Sequence, residues 1–533
     1  MQWPDSITSR IQQETHFGGR QIKCFTDRPA SVNAMFAEAL QRKPHGEALV
    51  SNDGRLSYVQ LNGLVTALVA GLTENGIGTG DRVAMLIGNR KEFMIVLLAV
   101  LRIGAIAVPV NIREQTPELT FILNHCGATL LVHDRDIDAR LPASEELEFL
   151  QHRFAIGGAT NSSVDYANLS VSGKEAQALV ANEVNEEDVA IILYTSGTTG
   201  LPKGAMLTHF NIVHSCMHFE YCMSLDHNDR SLLVVPASHV TGVVAVLLTM
   251  LRVAGCSIII ESFAADGTLA IAATEKISHT IMVPAMYNLC LLRSEIENYD
   301  LSAWRIGGFG GAPMPVPTIE ALSQKLPDLL LINAYGSTES TSPATILPVE
   351  VSSDHSDSVG IAVPCADIRV VNDDGQDLPD GEHGELWIGG PMVVPGYWNN
   401  PEKTLSEFNK GYWKSGDVGS RDSKGYFRLH DRRKDMIIRG GYNIYSAEIE
   451  NVVAAIEGVV ECAAIGRPDA VLGEKSEVIV FVENKELSVD KILAHCQSQL
   501  ADYKVPDYIT CISEPLPRNA NGKVLKTELR NRG

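Results

Sequence analysis

The stretch Tyr194-Thr195-Ser196-Gly197-Thr198-Thr199-Gly200-Leu201-Pro202-Lys203-Gly204 constrains this chain more than any other. It follows the apolar run Val189-Ala190-Ile191-Ile192-Leu193, which reads as a buried strand, and it precedes a helix-like segment that starts near His209. Glycines at 197, 200 and 204 let the backbone bring its N–H groups close to an anion. Thr195, Ser196, Thr198 and Thr199 add neutral donors, and Lys203 adds a positive charge. Together these are the groups of a polyphosphate cradle; by composition alone, an ordinary surface loop is an equal alternative. The pattern is not a Walker loop. Leu201-Pro202 separates Gly200 from Lys203, and Pro202 prevents a helix from starting directly on the second glycine.

Upstream, helical spacing at Leu61–Leu72 and Phe93–Leu101 alternates with short apolar runs at Arg82–Ile87, Ile106–Val110 and Thr129–His133. The rhythm resumes downstream, with strands expected at Ser231–Val235, Cys256–Ile260, His279–Val283 and Leu329–Ile332. It predicts two parallel sheets flanked by helices. From about Val359 to Trp398, turn dipeptides such as Asp374-Gly375 and Asp380-Gly381 predict a small antiparallel sheet or barrel. Beyond the charged run Asp431–Asp435, helices at Ala447–Ile456 and Val489–Leu500 with strands at Glu461–Ile465 and Glu477–Val482 predict a separate α+β domain.

Several other strings carry candidate chemistry. Asn333-Ala334-Tyr335-Gly336-Ser337-Thr338-Glu339 lies at a strand end, where open α/β sheets bind ligands. Tyr335 offers a flat face to a purine, Thr338 a donor to phosphate, and Glu339 a hard oxygen for Mg²⁺; otherwise this is an ordinary turn with a solvated carboxylate. Ile306-Gly307-Gly308-Phe309-Gly310-Gly311-Ala312 needs a close approach, of a ligand or of another backbone. Asp417 in Ser415-Gly416-Asp417 has the geometry for a bidentate contact to two hydroxyls, or only makes a turn. Ser446 reads as a helix N-cap. Lys523 stands in a terminal loop, where a lone lysine is ordinarily solvated, and His239 stands at a strand end.

Taken in order, these strings resemble the signatures of the adenylate-forming superfamily of acyl-CoA synthetases, peptide-synthetase adenylation domains and beetle luciferases. The resemblance implies an α/β fold. A large N-terminal region, 1–433, has two α/β subdomains and a small β-barrel-like one, and a mobile α+β domain, 434–533, carries the catalytic lysine. It implies that Thr195, Ser196, Gly197, Thr198, Thr199, Gly200 and Lys203 hold the ATP phosphates, and that Glu339 with Thr195 holds Mg²⁺. Gly310, Gly311, Ala312, Tyr335, Gly336 and Ser337 then face the nucleotide, with Thr338, Glu339 and Lys523 catalytic. Asp417 matches the ribose contact, Arg432 a second ribose or phosphate contact, Lys434 the hinge, and Gly440-Gly441 the thiol channel. His239, Val240, Val243, Phe309 and Gly310 match the acyl site; Met282 and Tyr287 are further pocket positions.

The implied reaction joins a fatty or aryl carboxylic acid to AMP with release of pyrophosphate, then passes the acyl group to coenzyme A. Loading of a carrier protein and a luciferase-like oxygenation are the alternatives within the superfamily. Ala237-Ser238-His239 has no acidic residue for an α-amine, which argues against an amino acid. A net charge of −21 argues against nucleic acid or an anionic membrane as partner. Ten scattered cysteines without a CxxC pair suggest neither zinc nor a disulfide framework, and a cytoplasmic location is expected. The N-terminus does not read as a signal peptide, nor the C-terminus as a peroxisomal tripeptide. The apolar stretch Met94–Val110 contains Arg102, Gly104 and Pro109 and reads as a buried helix and strand, not a membrane span. The oligomeric state is open, a homodimer included.

Overall fold

A computed structural model describes residues 3–170, 184–195, 201–312, 314–349, 355, 357–440, 442–482, 487–519 and 522–531. The chain forms two compact units. One comprises Met1–Pro313, Ala321–Ile368 and Ile388–Trp413; the other comprises Met314–Glu320, Arg369–Trp387 and Lys414–Gly533.

The first unit contains the two sheets that the alternating rhythm predicts. In a seven-stranded sheet the spatial order is Lys203–Thr208, Val189–Thr195, Ile106–Pro109, Arg82–Leu86, Leu130–Asp134, His152–Ile156 and Val164–Asp165. Its pairings are parallel except for the hairpin of Val189–Thr195 with Lys203–Thr208. Lys203 therefore opens a strand rather than closing a loop, and it pairs with Thr195. The helix Lys91–Arg102 is buried along Phe93–Leu101 on every side. Arg102 and Gly104, the latter at φ +72°, turn the chain into the buried strand Ile106–Pro109. The apolar stretch is thus a core helix and strand. No helix among the described residues is long and apolar enough to cross a membrane.

A nine-stranded sheet has at its centre the parallel strands Leu330–Tyr335, Ile306–Phe309, His279–Met282, Arg230–Leu233 and Cys256–Ile259, in that order. The sequence places the end of the first of these at Ile332. The strand runs on to Tyr335 because Ala334 and Tyr335 pair antiparallel with Ile346 and Thr345. Ile361–Ala362 also joins this sheet rather than the small antiparallel one. All these parallel strands deliver their carboxyl ends to one edge, so residues 335–339 and 309–312 emerge from neighbouring strands, and residues 236–243 follow a strand farther along the same edge.

The strand Tyr412–Arg421 enters the second unit at Lys414; there its residues 417–421 pair antiparallel with Phe427–Arg432, and Asp417 faces Arg432 across this hairpin. Farther along lies a five-stranded sheet built from Ile437–Arg439, Tyr442–Ile444, Val459–Asp469, Gly473–Val482 and Tyr508–Ile512. The helices Ser446–Ala454 and Val489–Gln499 bury Ile449, Val453, Ile492 and Cys496 against Ile437, Val478 and Val480. Ser446 does not cap its helix. Tyr445 is the N-cap residue, and the Ser446 hydroxyl bonds instead to Asp431 and Lys526.

Candidate active site

The first unit gathers three of the residues singled out in the sequence. Glu339 is 6 % exposed, and its Oε1 accepts from the Thr195 hydroxyl at 3.4 Å and from the Tyr397 hydroxyl at 3.0 Å. Tyr397 also lies 2.5 Å from Glu407 Oε2, so its single proton serves one carboxylate at a time. Burial, then the charge of Glu339, pushes the Tyr397 phenol well above its ordinary range, and it stays a donor. Lys203 Nζ donates to both Glu407 oxygens at 2.7 and 2.8 Å and to the Tyr397 oxygen at 3.2 Å. The residue expected to meet phosphate is thus held in an ion pair.

Tyr397 and Glu407 escape the sequence reading. Asn400-Pro401 does announce the short helix Pro401–Glu407, with the Asn400 side chain accepting from Lys403 N–H. Nothing local couples that helix to position 339. The coupling is made by the backbone: Val394 N–H bonds to the Glu339 carbonyl at 3.0 Å, and Trp398 N–H bonds to the Gly204 carbonyl at 2.7 Å. One short segment thereby laces the backbone at Glu339 to the backbone at Gly204. Asn211 steadies it by donating to the carbonyls of Pro391 and Val393, while Thr208 and Asn211 form a reciprocal cap on the helix His209–Cys222. Ser196, Gly197, Thr198, Thr199 and Gly200 lie outside the described residues.

The glycine-rich strand end answers to close packing. A Cβ on Gly310 would stand 2.3 Å from the Ala334 carbonyl oxygen, and one on Gly308 would stand 2.9 Å from Ile281. Tyr287 is fully buried, and its hydroxyl donates to the Gly308 carbonyl at 2.9 Å, which ties this strand down. Gly311, at φ +77°, and Ala312 are exposed where the strand leaves the sheet. Nearby in the fold, Val240, Val243 and Phe309 are buried at the same sheet edge. His239 is half-buried, and its Nδ1 accepts from Thr241 N–H at 3.3 Å, which places the ring proton on Nε2. Tyr335, Gly336 and Ser337 follow half-buried, with Thr338 buried beside Glu339.

The second unit assembles the other set. Asp417, 6 % exposed, accepts from Arg432 Nε at 3.0 Å. Gly416, at φ +69°, makes the bend, its N–H donating to Glu385 and its carbonyl accepting from Arg433 N–H. Lys434 is exposed in the turn closed by Asp435 N–H on the Arg432 carbonyl. Lys523 sits in a tight turn: Asn519 N–H donates to the Lys523 carbonyl and Gly522 N–H to the Asn519 carbonyl, both at 2.9 Å, the Asn519 side chain takes Lys523 N–H at 2.8 Å, and Gly522 turns at φ +81°. Lys523 is exposed. Partial desolvation by the surrounding protein, then the cations Arg432 and Lys434, lowers its ammonium to about 8, with Asp417 and Asp435 opposing the shift. Lys523 therefore shares an electrostatic neighbourhood with the Asp417–Arg432 pair. Gly440, at φ +57°, makes the turn between Ile437–Arg439 and Tyr442–Ile444; Gly441 is outside the described residues.

The AMP-binding enzyme family matches residues 36–398, and its C-terminal domain matches residues 448–523. A long-chain-fatty-acid–CoA ligase of Mycobacterium tuberculosis is 34 % identical over 504 residues, covering 94 % of this chain and 98 % of the relative. A feruloyl-CoA synthase of Amycolatopsis is 34 % identical over 490 residues, covering 92 % and 96 %. Among solved structures, ATP-bound MatB of Rhodopseudomonas palustris superposes with a TM-score of 0.85 at 30 % identity, covering 94 % of this chain and 99 % of its own. With a family match over most of its length and a site of this composition, the chain belongs to the AMP-binding enzymes. Within them it is an AMP-forming acyl-CoA synthetase, an acid–thiol ligase.

Proposed function

We propose that this enzyme activates a carboxylic acid with a long apolar or aryl tail, using ATP and Mg²⁺, and delivers the acyl group to coenzyme A. The observation that carries the substrate class is the buried set Val240, Val243 and Phe309 at the carboxyl edge of the sheet, beside Ala237-Ser238-His239 with no carboxylate. An α-ammonium brought there would be left unpaired, which is costly. The relatives named for long-chain fatty acids and ferulate point the same way.

In the first half-reaction a carboxylate oxygen of the acid attacks the α-phosphorus, and pyrophosphate leaves with the electron pair of the broken P–O bond. Negative charge gathers between the carboxylate and the α-phosphate, and the Lys523 ammonium stabilises it. Asp417 takes the ribose hydroxyls, and Arg432 steadies Asp417 or reaches the ribose or phosphate itself. Glu339 and Thr195 fit a divalent cation: one hard carboxylate and a hydroxyl meet there, and such sites draw their remaining ligands from phosphates and water. When bound, Mg²⁺ neutralises charge between phosphate oxygens. In the second half-reaction the thiolate of coenzyme A attacks the acyl carbon and AMP leaves. For this step the segment beyond Lys434 swings, withdrawing Lys523 and presenting the Gly440-Gly441 turn. Ten unpaired cysteines support a reducing, cytoplasmic setting.

A pyrophosphate-release screen over fatty acids, cinnamate-type acids and free amino acids tests this reading, with thioester formation followed in parallel. Apolar or aryl acids should release pyrophosphate and yield the thioester. Activation of any free amino acid as efficient as that of the matched simple acid would overturn the substrate class.

A further inference from the structure

Residues on the two sides of Lys434 are fastened together within the second unit. His383 and His430, which precede it, stack face to face, with ring centroids 3.8 Å apart and planes 20° apart. Tyr445 follows it, and its hydroxyl lies 2.9 Å from His383 Nδ1 while its ring stacks on His430 at 5.5 Å. Ser420 Oγ holds His430 Nε2 at 2.9 Å. Burial, then His383 and Arg428, push the His430 imidazole down to about 4, so at neutral pH the stack does not set two cations face to face. Beside it Asp431 accepts from Ser446 N–H and from the Ser446 hydroxyl, and Lys526 donates to that hydroxyl at 2.7 Å. In this fastened arrangement Lys523 feels Asp417 and Arg432.

We propose that His383, His430 and Tyr445 are positioning residues that clamp the segment beyond Lys434 in the pose for adenylation, and that the clamp opens for thioester formation. The proposal rests on the two-pose reading given above and names what sets the balance between the poses. The geometry favours a clamp over a plain packing contact. Its members approach from the loop at 383, the hairpin at 430 and the entry to the helix Ser446–Ala454, which are three separate elements. His383 is exposed and Tyr445 half-buried, so neither is needed to fill the core. Asp431, Arg428 and Ser420 face the clamp from before Lys434; from beyond it Tyr445 answers, with Ser446 and Lys526 beside Asp431 and with Glu448 and Lys504 near the Tyr445 hydroxyl.

The test separates the half-reactions in three variants of the full chain. Tyr445→Phe keeps the ring and removes the hydrogen bond; His383→Ala removes the stack at an exposed position. Each should lower acid-dependent pyrophosphate release while leaving or raising acyl-CoA formation from supplied acyl-AMP. The ratio of the two rates should shift by about three- to ten-fold, the weight of one net hydrogen bond on a two-state balance. A merely structural role would lower both rates together, and an unchanged ratio in both variants overturns the clamp. Lys523→Ala, run in parallel, should abolish pyrophosphate release and spare the second step. If it instead lowers both steps equally, the two-pose reading fails and the clamp falls with it. If it separates them and the clamp variants do not, only the clamp fails.

Discussion

Lys523 shows how a residue's type and its setting divide the work. Its ammonium is lowered from the ordinary lysine range to about 8 by partial desolvation and by the cations Arg432 and Lys434. A lysine with a lowered pKa is charged below that value and neutral above it. Adenylation should therefore hold up to about pH 8 and fall above it with a one-proton profile. In Lys523→Arg the guanidinium stays charged, so whatever activity remains should lack the alkaline limb. Pyrophosphate release measured from pH 6 to 10 (a range of about four units, set by ordinary lysine behaviour) decides this, and an alkaline limb that persists in the arginine variant would assign it to another group. Glu339 and Asp417 were singled out through the strings they stand in, and both are buried and hydrogen-bonded in the structure. Tyr397 and Glu407 were not singled out. Their partnership with Glu339 and Lys203 crosses many positions, and neither side chain differs in type from any surface tyrosine or glutamate.

Elements show the same division in their ends. Strand and helix cores were readable from apolar periodicity, whereas the ends answered to neighbours. Leu330–Tyr335 outran its apolar run because a partner strand pairs with Ala334 and Tyr335, and Ser446 lost its capping role to Asp431 and Lys526. The glycines of Ile306–Ala312 announced a close approach without naming the partner. For Gly310 it is the Ala334 carbonyl, 2.3 Å from where a Cβ would sit. Backbone cannot yield there as a flexible side chain can. Gly310→Ala should therefore cost about 1–3 kcal/mol, the usual range for overpacking, and displace the strand end from the nucleotide. Urea unfolding together with the ATP dependence of pyrophosphate release checks this; wild-type values in both would show that the edge accommodates a methyl group.

For the whole molecule the question is whether Lys434 is the pivot. It is exposed, and it occupies the third position of the turn that runs from Arg432 to Asp435. Proline there fixes φ near −65° and restricts the swing. It also presses Arg433 away from the helical region, because proline disfavours that conformation in the residue before it. Lys434→Pro should therefore reduce adenylation modestly, within about ten-fold if the turn loses roughly a kilocalorie per mole. Acyl-CoA formation from purified acyl-AMP should fall by orders of magnitude. Single-turnover assays of both steps decide it, and equal losses would move the pivot elsewhere. The sequence by itself determined the α/β rhythm, because apolar periodicity acts over a few residues, and it carried the ligase chemistry through the family resemblance of short strings such as Tyr194–Gly204 and Asn333–Glu339. Only the tertiary structure decided which charges meet. Pairing Lys203 with Glu407 and His383 with Tyr445 depends on how distant backbone segments are laid together, and no local pattern encodes that distance.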